Sequence, residues 1–169
     1  IGSDGGSFAF NISENNWMGK GVQVQTSVEV NATSLKGEIA YTDTNYNNSG
    51  NLLRYGLSSS QNDMPDSGFE NSIISANIGT GYEQFKNIYF NPGLTVTSEK
   101  LTVLDTASNN LKKQAGTYTD LSADYSFSKD TRNRAFMPTS GSGAYFKKVL
   151  PVYADAASIK NSVSYSGYK

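Results

Sequence analysis

From Val22 to Val30 the chain alternates without a fault. Val22, Val24, Thr26, Val28 and Val30 fall on one side, and Gln23, Gln25, Ser27 and Glu29 on the other. A period of two is the repeat of an extended strand, so this stretch predicts a strand with one apolar and one polar face. The residues before it follow the same rule. Phe8, Phe10 and Ile12 oppose Ala9, Asn11 and Ser13, and the loop Trp17-Met18-Gly19-Lys20-Gly21 joins the two runs into a hairpin. The neighbour of that apolar face, a soluble core or lipid, decides what the chain can become.

The pattern recurs along the chain. Leu35, Gly37, Ile39 and Tyr41 define a third strand, and Leu53, Tyr55 and Leu57 a fourth, with a turn cluster at 45–51 between them. After a connection at 61–70, Ile74, Ala76, Ile78, Thr80 and Tyr82 mark a fifth strand. Ile88, Phe90, Leu94 and Val96 mark a sixth. Pro92 has no N–H for a ladder, which predicts a bulge or an edge position there. Leu101 and Val103 change parity, so the phase is expected to slip after Ser98. Residues 107–118 read as a loop and Leu121, Ala123, Tyr125 and Phe127 as a seventh strand. An eighth strand begins near Gly143, a turn covers 151–155, and a ninth starts at Ala157. No stretch carries a convincing helical period. The expected class is all-β, an antiparallel up-and-down meander of about nine strands.

With 169 residues the chain is long enough for one sizeable domain. It has no Cys and no His, which removes disulfides, Cys/His metal sites and imidazole-based triads. A net charge of -1 gives no basic footprint for nucleic acid. Gly79-Thr80-Gly81 and Gly141-Ser142-Gly143 lack the strand-to-helix setting of a phosphate loop. The Asn-X-Ser/Thr triplets at Asn11, Asn31 and Asn47 are chance matches in an Asn- and Ser-rich chain. The carboxylates show no pairing that a sequence can place in space. The expectation is a protein that is not an enzyme and uses no cofactor or metal. Its first residues lack a basic region followed by an apolar one, which suggests a processed chain or an excised piece.

No run approaches the ~20 apolar residues of a membrane helix. Membrane β-barrels escape that test, because their strands alternate and average out as polar. A soluble sandwich or small barrel that binds sugar or an apolar ligand, and a membrane barrel, are both open on periodicity. Several features favour the barrel. The polar face holds Ser, Asn, Gln and Gly with scattered charges, as a watery lumen would. Trp17, Tyr41, Tyr46, Tyr82, Tyr89 and Phe127 gather near strand ends, as interfacial girdles do. The first two strands each supply about the nine to eleven residues needed to cross the hydrocarbon. Against it, loop lengths do not alternate cleanly between short and long, and Lys147 and Lys148 place one charge on each face.

Two stretches resemble a known family. Ile12-Ser13-Glu14-Asn15-Asn16-Trp17-Met18-Gly19-Lys20-Gly21, entering an alternating strand, looks like the first hairpin of the BamA family, where such a loop joins barrel strands one and two. Asp130 and Arg132, followed by Phe136, Pro138, Thr139 and Gly141, are similar to that family's Asp-x-Arg and Phe-Pro-Thr-x-Gly segment. Thr44-Asn45-Tyr46 stands where the family's third-strand exit usually carries a proline, which this chain lacks.

The resemblance covers nearly the whole chain but only the N-terminal half of a family barrel. It implies an outer-membrane barrel of a Gram-negative bacterium, preceded by periplasmic POTRA domains, with residues 1–6 as lead-in. Nine strands cannot close an antiparallel barrel of even count, so the chain is expected to be one section of a longer protein. The family's seam implies that strand one, Ser7, Phe8, Ala9, Phe10, Asn11, Ile12, Ser13 and Glu14, pairs with an incoming client strand. The implied partners are unfolded outer-membrane proteins, the lipid bilayer and assembly-complex lipoproteins. Asp130, Arg132, Pro138 and Gly141 form the implied barrel-wall motif, with Asp130 and Arg132 as a lumenal ion pair or as solvated loop charges. A secretion or translocation barrel of the same superfamily and a passive porin are the alternatives within the membrane reading.

Overall fold

The computed structural model describes residues 6–155 and 158–169. Nine strands form one antiparallel sheet in chain order, each paired with the next. They are β1 (Phe8–Glu14), β2 (Val22–Val30), β3 (Ser34–Tyr46), β4 (Asn51–Met64), β5 (Phe69–Phe85), β6 (Ile88–Val103), β7 (Gly116–Asp130), β8 (Gly141–Tyr153) and β9 (Lys160–Tyr168). The sheet is open, and among the described residues β1 and β9 each have one neighbour.

The ladder sorts the side chains onto two faces. Phe10, Val28, Ile39, Leu57, Ile78, Leu94, Phe127, Phe146 and Val163 share one face, which we call outward. Asn11, Gln25, Glu38, Arg54, Asn77, Thr95, Asp124, Lys147 and Ser162 share the other. A water-soluble domain of this length buries its large apolar side chains. Here Val22 is the one apolar side chain that is buried among the described residues, while Ile78 is 53% and Val163 76% exposed on the outward face. The apolar surface therefore forms a continuous outer band rather than a core.

That band runs obliquely across the strands. The row through Phe10 passes Val28, Gly37, Ser59, Ile74 and Ser98 to reach Thr119. It starts apolar and ends polar, because the apolar part of β7 lies further along, at Leu121–Phe127. The stripe climbs the strands as it crosses the sheet, which is the stagger that strand tilt imposes on a barrel wall.

Most strands outrun their sequence signal. β5 and β6 have 17 and 16 residues, more than the ~9–11 that cross a bilayer. Alternation marks only the part of a strand whose outward residues are apolar. Beyond it, as at Ser98, Lys100 and Thr102 of β6, the outward residues are polar, yet the backbone ladder continues. This places the expected turn residues 61–64 and 151–153 inside strands. β6 keeps its register through Ser98 to Val103, so there is no phase slip. Leu101 and Val103 lie on the inward face past the end of the band.

Pro92 occupies neither a strand at the sheet edge nor a register shift. It pairs with Tyr125 inside the sheet, and the ladder to β5 skips Thr80 and Gly81 before resuming in register. Residues 107–118 include a four-residue helix, α1 (Asn109–Lys112), capped by the Ser108 hydroxyl, and the start of β7. One turn is too short to show a period. The ninth strand begins at Lys160, and its expected start at Ala157 lies outside the described residues. β1 spans 7 residues, fewer than expected for a full crossing.

Candidate functional site

All seven residues of β1 are exposed, and its single ladder faces β2. The other row of backbone donors and acceptors has no strand beside it among the described residues. Ser7 lies outside the strand. In register its partner would be Asn31, which closes the β2–β3 turn by donating its N–H to the Ser34 carbonyl at 2.9 Å. The pairing edge is therefore Phe8–Glu14, with Phe8, Phe10 and Ile12 outward and Ala9, Asn11 and Ser13 inward. The following turn is held locally. Asn16 accepts the Gly21 N–H at 2.7 Å, and Glu14 accepts the Asn16 N–H at 2.8 Å.

Asp130 and Arg132 meet at the end of β7, beyond the apolar band. The Arg132 Nε–H donates to Asp130 Oδ1 at 2.9 Å and its Nη2 to Oδ2 at 2.6 Å, a two-pronged pairing that fits the planar guanidinium. The Arg132 backbone N–H adds a third bond to Oδ1 at 3.0 Å. These donors hold the Asp130 carboxyl down at about 2, below its ordinary 3.8. The same carboxylate, helped by the Tyr168 hydroxyl, raises the Arg132 guanidinium.

The guanidinium lies along glycines of β8. A Cβ at Gly143 would sit 3.6 Å from Arg132 Nε, and one at Gly141, where φ is +96°, would run into the Thr131 carbonyl. Pro138 belongs to the 131–140 loop, a hydrogen-bonded extension of the hairpin. Within it Asn133 accepts from the Thr139 and Ser140 N–H groups at 3.1 and 3.3 Å. The motif thus joins β7, its loop, β8 and β9 on the inward face.

Sequence reasoning did not find a second charged group on the inward wall. Arg54, Gly79, Gly93 and Asp124 form one row across β4–β7. The glycines leave floor space. A Cβ at Gly79 would stand 3.6 Å from an Arg54 nitrogen, and one at Gly93 only 3.0 Å from Asp124 Oδ1. Lys147 pairs with Asp124 at 3.1 Å. The contrast of Lys147 and Lys148 was the available signal, since adjacent residues must face opposite ways. Lys148 stands outward, in register with Tyr125 and Asn161.

The outward face also carries an aromatic belt. Tyr41 and Tyr55 stack at 4.5 Å on β3 and β4. Tyr82, Phe90, Phe127 and Phe146 occupy one row across β5–β8, with Phe90 and Phe127 4.7 Å apart. Tyr89 does not belong to it. Its register with Ser128 puts it on the inward face.

An outer apolar band, an inner polar wall, oblique strands and an aromatic belt define a section of a transmembrane β-barrel. The Omp85 superfamily domain matches residues 16–169, and the chain belongs to that superfamily of outer-membrane β-barrel proteins. Its fold is similar to that of BamA from Haemophilus ducreyi lacking POTRA domains 1-3, with a TM-score of 0.73 and 18% identity. That match covers 98% of this chain and 35% of the other, so the chain spans about a third of that structure's length. No curated protein matches the chain. A soluble sandwich is excluded by the family and by the outward placement of the apolar side chains.

Proposed function

We propose that this segment is the N-terminal part of a barrel that inserts other β-barrel proteins into the outer membrane of a Gram-negative bacterium. What supports the reading is the Omp85 superfamily match over residues 16–169; in such a barrel β1, with 7 residues against up to 17 in later strands, is the short first strand at which a client strand would pair. An exposed strand edge is a template for a further strand. In a closed barrel the strand beside β1 would have to be displaced by the client's. A short first strand lowers the number of ladder bonds to exchange. Main-chain bonds dominate such pairing, so many client sequences fit. The role is non-enzymatic and uses no cofactor. Its partners are unfolded outer-membrane proteins, with lipid on the outward face and assembly lipoproteins on the whole protein. Residues 1–6 serve as the link from a preceding domain.

The test uses the full-length protein with proline at Asn11. Pro has no donor, and at an edge it is tolerated by the fold. The expected result is a folded barrel at normal abundance with at least tenfold slower client assembly, read as the rate at which a client barrel becomes heat-modifiable on gels. Assembly at the wild-type rate overturns the seam. Normal assembly with defective export of a soluble passenger supports a translocation barrel instead, a reading that the polar wall around Arg54, Asp124 and Lys147 favours.

A further inference from the structure

The outward face of β7 and β8 carries two lysines without a counter-charge. Lys129 stands outward in register with Ile88 and Ala144, and Lys148 in register with Tyr125 and Asn161. Between them lies the Phe127–Phe146 pair of the aromatic belt. Neither lysine enters an ion pair among the described residues. The carboxylates of this half of β5–β8, Glu83, Asp124 and Asp130, stand inward. Asp43 is outward in the row of Lys148, but five strands away on β3, about 24 Å around the wall at ~4.8 Å per strand. Glu14 is farther still, on β1, while Asp63 and Glu70 are outward at the opposite end of β4 and β5.

Lys148 stands inside the apolar band, between Phe146 and Leu150 on its own strand. A cation on the lipid face of a barrel is unfavourable unless an anion or water reaches it. Phe146 is two residues away, ~7 Å along the strand, so the Lys148 stem can run past the ring and bring its ammonium to the belt. Lys129 lies the same distance beyond Phe127. Below the belt the wall is dented. Thr80, Pro92 and Ala123 are short, and Ile78, Leu94 and Phe90 stand around them, leaving an outward apolar hollow of about 500 Å³. Tyr125 forms its rim and is the cross-strand neighbour of Lys148. Cations at the belt and an apolar hollow beneath it match the two halves of an anionic lipid, phosphate and acyl chain.

We propose that the outward face of β7 and β8 binds lipid A, the phosphorylated, multiply acylated glucosamine lipid of the outer leaflet. Lys129 and Lys148 meet its phosphates, and one acyl chain fills the hollow. The proposal rests on the function proposed for the chain in one respect, that residues 1–6 lead in from a periplasmic domain. They enter β1 at Phe8, so the Phe8 end of the sheet faces the periplasm. The 86–87 and 131–140 connections, with Lys129 and the belt beside them, then face the cell exterior. That leaflet is built of lipid A, whose two phosphates suit two lysines. The site begins six strands from β1, so the lipid grip and the strand exchange use different parts of the wall.

The experiment reconstitutes the full-length protein into phosphatidylcholine vesicles with trace spin-labelled lipid A, its dephosphorylated form or phosphatidylglycerol. The immobilised fraction of each label is then measured. Lipid A is expected to be held about tenfold more strongly than its dephosphorylated form at low salt, since each surface lysine is worth up to about fivefold. Phosphatidylglycerol, with one phosphate, should fall between them. K129Q/K148Q should lose the preference, K129R/K148R should keep it, and K100Q, outward at the periplasmic end of β6, should leave it unchanged. Ala123→Leu, which fills the hollow, should lower retention of both forms of lipid A and keep the phosphate preference. Equal retention of the two forms, a preference that survives K129Q/K148Q, or phosphatidylglycerol held as strongly as lipid A overturns the site. Unchanged retention in Ala123→Leu overturns the hollow as the seat of a chain. Loss of the preference in K100Q in place of K129Q/K148Q overturns the orientation taken from residues 1–6. Client assembly does not enter these measurements, so a failure of the seam would leave them standing.

Discussion

β1 and β5 use the same alternation to different ends. β5 runs for 17 residues between two ladders, and its outward Ile74, Ala76 and Ile78 sit mid-sheet. β1 runs for 7 residues on one ladder, with every residue exposed. Removing one donor from β5 breaks a bond between two described strands, whereas the side of β1 away from β2 faces no strand among the described residues. What a strand does is decided by how many neighbours satisfy its backbone, and the side-chain pattern is silent on that.

Proline substitution breaks or sharpens this comparison most strongly. Ala76→Pro should abolish the compact, heat-modifiable form of the barrel, because a central strand cannot lose a ladder bond without distortion. Asn11→Pro should retain that form. Equal loss in both would mean that β1 is held as firmly as an interior strand. Next comes charge on the outward face. Ile78→Arg should destabilise the barrel in lipid by about 2–4 kcal/mol, and Phe8→Arg at the end of the band by roughly 0–1 kcal/mol. Denaturant titration in bilayers measures both. Similar costs would show that β1 lies deeper than the oblique band indicates.

Gly141→Ala tests the far side of the wall. It forces a side chain into a positive-φ position against the Thr131 carbonyl, and should destabilise the β7–β8 hairpin by about 1–3 kcal/mol. Hydrogen exchange would show faster opening at 131–142 and unchanged β1–β3. The smallest effect is that of pH. Asp130 is held below its ordinary value, so its contribution is fully present above about 4 and is lost as pH falls through about 2. Exchange of the 131–140 loop should rise over that window, and Asp130→Asn should remove the pH step. Because the pair is exposed, the change should stay within the loop.

Much of this was legible beforehand. Strand β2 has its expected limits, the order of strands is the expected meander, and Lys147 and Lys148 face opposite ways as adjacent strand residues must. Two of the errors are instructive. Residues 61–64 read as part of a connection around Pro65-Asp66-Ser67-Gly68, and 151–153 as part of a turn from Pro151 to Asp155, although the ladder continues through them. Ser7 read as strand from its position before Phe8, although the ladder had already ended at the Asn31 turn.

What the sequence determined by itself is local. Alternation with period two assigns each residue of a strand to one face, and the order of Asn16, Trp17, Gly19, Asp130, Arg132, Pro138 and Gly141 points to the family. Register is different, because it depends on which residue of one strand lies opposite which residue of the next. Only the assembled sheet decided that the apolar band climbs from Phe10 to Phe127. The same pairing brought Arg54 and Asp124 over glycines, set Arg132 along Gly143 toward Tyr168, and placed Lys129 and Lys148 on either side of the Phe127–Phe146 pair. Each of these follows from hydrogen bonds between segments far apart in the chain, and no local pattern contains them.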